Sequence, residues 1–215
     1  AALAPQPQAT WYRLAFSKLA EARWLSHLEL VNALYRSLRR SGLPLAFSAG
    51  HHPLPRVAFH GALPVGVESR CETLDVALAA EISPNEVVSR LNRVLPAGLE
   101  VLSAAGLPQD RKPPRVDQTV YQVQSPAPVF DAAAAADFLE RREFPVTRRR
   151  PKKGDQTVDV RSLVAALEVL EAHSLEMRVI TAQKANLKAA EILRHIFALT
   201  ESQIQDLHIV KKQVI

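Results

Sequence analysis

The sequence predicts an α+β protein, and three observations carry that reading. Short alternating apolar segments, the mark of half-buried strands, recur along the chain. Between them lie two amphipathic helices with strong start signals in the first half, at 26-SHLE and 83-SPNE. A Pro-rich, charged stretch without periodicity, 106-GLPQDRKPPRVDQT, then separates two halves in which the order of elements repeats.

The elements follow in order. Residues 12–16 (YRLAF) alternate and predict a strand. In 26-SHLELVNALYRSLRRSGLP, Leu28, Val31, Leu34, Tyr35 and Leu38 recur at helical spacing, and Gly42 and Pro44 stop the helix. Val57 and Phe59 alternate with Ala58 and His60 in a strand at 56–60. Leu74, Val76 and Leu78 share one face of a strand at 73–80. Ser83 as N-cap and Pro84 at the first helical position open a helix over 83–96, with Val87, Val88, Leu91 and Leu95 inward. A strand at 99–104 closes a β-α-β-β-α-β order.

The second half predicts a strand at 119–124 and a helix at 131–142 capped by Asp131. A hairpin follows, 144–150 with 156–161, around the basic tip 148-RRRPKKGD. Residues 163–170 fit strand and helix periods alike. A strand at 174–180, a helix near 185–199 and a strand near 207–214 finish the chain. The fold expected is two tandem ferredoxin-like (βαββαβ) domains, with antiparallel sheets and helices on one face. The expected boundaries are a disordered leader at 1–10, a first domain at 11–106, a linker at 107–118 and a second domain at 119–215.

Composition narrows the function. The 215 residues are 47% hydrophobic and 23% charged, enough for packed cores. No apolar run approaches a membrane span, so no membrane partner is expected, and the single cysteine makes a cytoplasmic location the default expectation. Cys71 is the single cysteine, which excludes an intramolecular disulfide and multi-cysteine zinc or iron–sulfur sites within these residues. The net charge of +5 is compatible with nucleic acid but does not establish it.

Several constellations have both a dull and a sharp reading. Ser26 and Glu29 read as a capping box, which leaves His27 at the positive end of the helix dipole as a candidate catalytic residue. Arg39 and Arg40 end that helix, and Arg56 follows in the loop. Singly each suits a solvated face; together their forks suit phosphates or carboxylates. The adjacent His51 and His52 diverge in an extended backbone, so no metal site is expected. Glu68, Glu72 and Asp75 read as partners for Arg56 or Arg70. Arg148, Arg149, Arg150, Lys152 and Lys153 carry no acid among them and suggest an anionic partner. Walker A, dinucleotide-glycine and RNP-type motifs are missing.

The block from Ser26 to Asp75 resembles the radical-SAM-linked family of domain of unknown function 2344. The resemblance rests on 26-SHLE, 39-RRSGLP, Ser48, Gly50, Pro53, Pro55 and Arg56. It continues through 63-LP, Gly66, Glu68, Ser69, Glu72 and Asp75, and more weakly through 158-VDVR in the second half. Ala49, His51, His52 and Leu54 stand where the family pattern has Gln, Phe, Asn and His. The resemblance implies a standalone member without the radical SAM domain, which acts with a separately encoded radical SAM enzyme.

The expected function is a non-catalytic accessory protein that binds or presents tRNA or rRNA, without a cofactor of its own. The expected ligand pocket gathers His27, Arg39, Arg40, Ser48, Gly50, Arg56, Glu68, Glu72 and Asp75. The tip residues Arg148, Arg149, Arg150, Lys152 and Lys153 add a nucleic-acid contact. The alternatives are a metal-independent RNA-cleaving or RNA-modifying enzyme using His27 with Arg39 or Arg56, and a protein–protein adaptor.

Overall fold

The computed structural model describes residues 9–49, 51–148, 154–181 and 187–215. The chain divides into two compact units, Ala1–Pro114 and Arg115–Ile215. Both are mixed α+β with antiparallel sheets. No helix among the described residues is long and apolar enough to cross a membrane.

The first unit runs β1 (Thr10–Lys18), a 3-10 turn at Ala20–Trp24, α1 (His27–Arg40), β2 (Val57–Phe59), β3 (Val67–Leu78), α2 (Pro84–Asn92) and β4 (Leu99–Leu107). β1 pairs with β4 on one side and β3 on the other, and β2 pairs with β3. The strand order is therefore β4-β1-β3-β2, antiparallel throughout.

The period-2 pattern decides which face is buried. Tyr12, Leu14 and Phe16 of β1 and Leu74, Val76 and Leu78 of β3 pack against Leu30, Leu34 and Leu38 of α1 and Val87 and Leu91 of α2. Ser26 caps α1 in a reciprocal capping box with Glu29, and Ser83 caps α2 by accepting from Glu86 N, as the sequence predicts. Tyr12 is buried with its hydroxyl satisfied, donating to Ile82 O at 2.7 Å and accepting from Ile82 N at 2.9 Å.

The second unit runs β5 (Gln118–Gln124), α3 (Ala132–Glu140), β6 (Pro145–Arg148), β7 (Gln156–Asp159), a 3-10 turn at Arg161–Leu163, β8 (Val164–Glu171), β9 (Ser174–Ile180), α4 (Ala189–Phe197), α5 (Glu201–Gln205) and β10 (His208–Val214). Its sheet is antiparallel in the order β10-β5-β9-β8, and β6 with β7 forms a separate hairpin. Val123, Leu175, Met177, Ile192 and Leu193 are fully buried. Edge-to-face pairs of Phe130 with Phe197 and of Phe138 with Phe144 add to the packing.

Several boundaries differ from the sequence reading. β3 begins at Val67, six residues before the expected start at 73, because Glu68, Ser69 and Glu72 are polar yet buried and break the alternation. The ambiguous 163–170 segment is strand β8 after one 3-10 turn. The helix expected near 185–199 ends at Phe197, since Ala198 adopts the left-handed conformation (φ 50°), and α5 follows.

Two elements lie beyond the pattern. The 3-10 turn at Ala20–Trp24 has too few residues to show periodicity. Strand β4 runs three residues past the expected end at 104.

Candidate functional site: a cationic sheet face in the first unit

Both helices of the first unit cover one face of its sheet, so the residues of opposite parity lie on the other. The register places them in rows. Trp11 lies between Leu107 and Ala77, Arg13 between Ala105 and Asp75, and Ala15 between Ser103 and Thr73. Ala58 of β2 lies opposite Asp75, with Arg56 and His60 on the same side. Small residues (Ala15, Ala58, Ala77, Ser103, Ala105) floor this face, and the long polar chains stand on it.

Asp75 organises the group. Its side chain is 2% exposed. Arg13 grips it in a two-pronged pair, Nε to Oδ1 at 2.8 Å and Nη2 to Oδ2 at 3.0 Å. Arg111 Nε lies 3.6 Å from Oδ2. His60 Nε2 stands 3.0 Å from Oδ1 with its side chain 8% exposed, but off the line of a well-aligned hydrogen bond.

Burial by itself raises the Asp75 pKa. The two hydrogen bonds and the charge of Arg13, with His60 close by, outweigh it and hold the carboxyl below its ordinary value. The same pairing raises Arg13.

Two guanidiniums also lie over the Trp11 ring. The Arg111 carbon is 3.1 Å from its centroid and the Arg56 carbon 5.1 Å. Trp11 packs with Ala9 and Ala77 in a small cluster that Ala46 and Leu107 border. Among the described residues, Asp75 is the acid that pairs with Arg13 and Arg111, and Arg56 has no ion pair. Two guanidiniums and an imidazole thus stand around one carboxylate, and a third guanidinium, that of Arg56, lies over the Trp11 ring beside them.

A second polar group, on β3 and the end of β1, is structural. Lys18 is fully buried, and its Nζ donates to Arg23 O at 3.1 Å and Leu25 O at 2.9 Å. Burial lowers its pKa, and the Glu72 charge opposes that shift. Ser69 Oγ donates to Glu72 Oε1 at 2.7 Å. Glu68 Oε1 accepts from Ala20 N at 3.0 Å, with Arg23 at 4.0 Å. This web fastens the turn at Ala20–Trp24 to the sheet. Asp75 therefore pairs with Arg13 and Arg111 rather than with Arg56 or Arg70 as the sequence suggests, Glu68 lies near Arg23, and the Glu72 charge acts on Lys18.

The expected pocket is not gathered in one place. Arg40 Nη2 donates to Val94 O at 2.8 Å, on the helical side, while Arg56 lies over Trp11 on the other side of the sheet. Those two arginines face separate surfaces. Arg39 is exposed on the last turn of α1. His27 is exposed on the first turn, edge-to-face with Phe59 at 6.3 Å between ring centroids.

Ser48 closes a loop: its N–H donates to Leu54 O at 2.9 Å and its Oγ accepts from Leu54 N at 3.1 Å. His51 and His52 are exposed within that loop. Of the described residues of the expected pocket, only Arg56 and Asp75 stand on the cationic face, while Glu68 and Glu72 join the structural web. Gly50, Arg149, Arg150, Lys152 and Lys153 lie outside the described residues. Arg148 pairs with Glu191 at 3.3 Å. No group of three or more metal-ligating side chains is found among the described residues.

Sequence reasoning missed Trp11, Arg13 and Arg111 and gave His60 no role in its pocket. Arg13 had a signal, as the polar member of an alternating strand. Arg111 lay in a segment read as a linker, where nothing marks a folded-back side chain.

The 158-VDVR segment is also structural. Asp159 Oδ1 accepts from Phe144 N at 2.7 Å and Arg161 N at 3.1 Å. Arg161 donates to Leu139 O at 3.1 Å and Val164 O at 2.9 Å. It ties the base of the β6–β7 hairpin to α3 and β8.

Compared with known families, residues 11–189 match the one described as "Uncharacterized protein conserved in bacteria (DUF2344)". No curated protein matches the chain.

Proposed function

The chain belongs to the DUF2344 family, and from that premise we propose that it is a non-catalytic RNA-binding protein that presents tRNA or rRNA to a radical SAM enzyme. One observation carries the RNA half: Arg13, Arg56 and Arg111 stand with His60 on the sheet face that the unit's helices leave uncovered, where Asp75 is the one acid paired with them among the described residues. Pre-positioned guanidiniums suit phosphate oxygens, and backbone phosphates dominate nucleic-acid affinity. The family resemblance supports the radical SAM partner. A radical SAM cluster takes three cysteines, and with Cys71 the single one, the cluster is held outside these residues.

Each unit has the architecture of a ferredoxin-like domain in this reading. The supporting observation is the edge-to-edge order fourth-first-third-second in both sheets, with β6–β7 as an insertion in the second.

Fluorescence anisotropy with a labelled single-stranded oligoribonucleotide tests the RNA half. Affinity should fall roughly tenfold or more between 50 and 200 mM salt, as expected for about three phosphate contacts. Salt-independent binding, or none to any tRNA or rRNA fragment, overturns it. Co-purification with the radical SAM protein tests the partner.

A second reading, a metal-independent RNA-cleaving enzyme, gains one observation: a carboxylate lies 3.0 Å from the His60 imidazole. A carboxylate in that position orients an imidazole for proton transfer. The general-base candidate then moves from His27 to His60. Cleavage by the purified protein, lost in His60→Gln with the fold intact, would establish it.

A further inference from the structure

Arg111 reaches Trp11 from the segment between β4 and the end of the first unit, which is fastened across β1. Gln109 Nε2 donates to Ala9 O at 2.7 Å, Arg13 Nη2 donates to Lys112 O at 2.7 Å, and the Arg111 guanidinium lies over the Trp11 ring. With this segment in place Trp11 is 5% exposed. Two features mark the contact as exchangeable. Arg13 already satisfies both Asp75 oxygens at 2.8 and 3.0 Å, so Arg111 adds only a 3.6 Å approach. The ring itself is held by neighbours other than Arg111, namely Ala9 and Ala77, with Ala46 and Leu107 at the border.

We propose that Trp11 is a stacking platform for one unpaired nucleobase, covered in the free protein by Arg111, which the base displaces. This inference rests on the RNA-binding reading and names its substrate class as single-stranded rather than duplex RNA. A planar guanidinium and a planar base use an aromatic face in the same way. The exchange keeps the charge in place. Arg111 leaves the ring but stays beside Arg13 and Arg56, where it meets the phosphate that flanks the stacked base. A paired base is already stacked in its duplex and has no free face to offer.

The chain has two tryptophans, and the other, Trp24, is 57% exposed and outside this face. A Trp24→Phe protein therefore reports Trp11 alone by emission. Titration with an eight-nucleotide single-stranded oligoribonucleotide should quench that emission in step with binding, and a duplex of the same sequence should leave it unchanged. Trp11→Ala should weaken single-strand binding roughly tenfold and duplex binding little. The emission readout needs no change at Trp11, so it stands if that variant fails to fold. Salt-dependent binding with unchanged Trp11 emission overturns the stacking proposal and leaves the RNA reading standing. Loss of all RNA binding overturns both.

Discussion

At the scale of single residues, the cationic face depends on Asp75. Its native pKa lies below its ordinary value, so the unfolded chain takes up its proton first as pH falls. The stability it supplies is complete above the unfolded pKa of about 3.9 and is lost as pH drops through the lowered native value. Urea midpoints measured from pH 7 to pH 2 should therefore fall in acid, and fall less in Asp75→Asn. The substitution should itself cost about 2 kcal/mol at pH 7, below the usual cost of breaking a buried pair because Arg13 is partly exposed. A flat acid profile in both proteins would remove Asp75 from this role.

Gly98 is set by sterics instead. Its φ is +80°, and an added Cβ would press on Leu19 O and lie 2.8 Å from Ala22 Cβ. Gly98→Ala should destabilise by roughly 2 kcal/mol or more in the same assay.

At the scale of elements, the VDVR turn shows how a sequence signature can be structural. Its two valines are buried, and Asp159 satisfies two backbone donors at the foot of the β6–β7 hairpin. The amide of Phe144, before those of Arg161 and Ser162, draws the Asp159 pKa down against its partial desolvation. Asp159→Ala leaves the Phe144 and Arg161 amides without that acceptor and should cost about 1–3 kcal/mol. Hydrogen exchange should show the Phe144 amide losing protection first. Unchanged protection there would mean that the hairpin is held by its packing alone.

The elements that sequence reasoning placed well are those whose signals are local, such as the caps at Ser26, Ser83 and Asp131 and the alternation of β1 and β9. The start of β3 was hidden because buried Glu68, Ser69 and Glu72 are matched by Lys18 and by the Ala20 amide from elsewhere in the chain. Arg56 and Asp75 were found as chemistry, yet their true neighbours Arg13 and Arg111 were not. Those contacts depend on strand pairing and on a folded-back segment, and neither leaves a local pattern.

At the scale of the whole molecule, a net charge of +5 is too modest to bind RNA by bulk attraction, so the proposed RNA binding rests on where the charges are placed. Two placements are available: Arg13, Arg56 and Arg111 in the first unit, and the run from Arg148 to Lys153 in the second. They make different demands on binding. The sheet-face arginines are pre-positioned by Asp75 and Trp11, so removing them should cost affinity for unpaired RNA in particular. A basic run reads backbone charge without distinguishing strands.

Each phosphate contact to single-stranded RNA contributes about 0.7 to the slope of log affinity against log salt. Arg56→Ala with Arg111→Ala should therefore lower that slope by roughly 1.4 and reduce the preference for single strand over duplex. Replacing Arg149, Arg150, Lys152 and Lys153 with serine should lower the slope for both RNA forms alike and leave the preference intact. If the sheet-face pair changes neither slope nor preference, RNA contact belongs to the second unit and the arginines around Asp75 serve the fold alone.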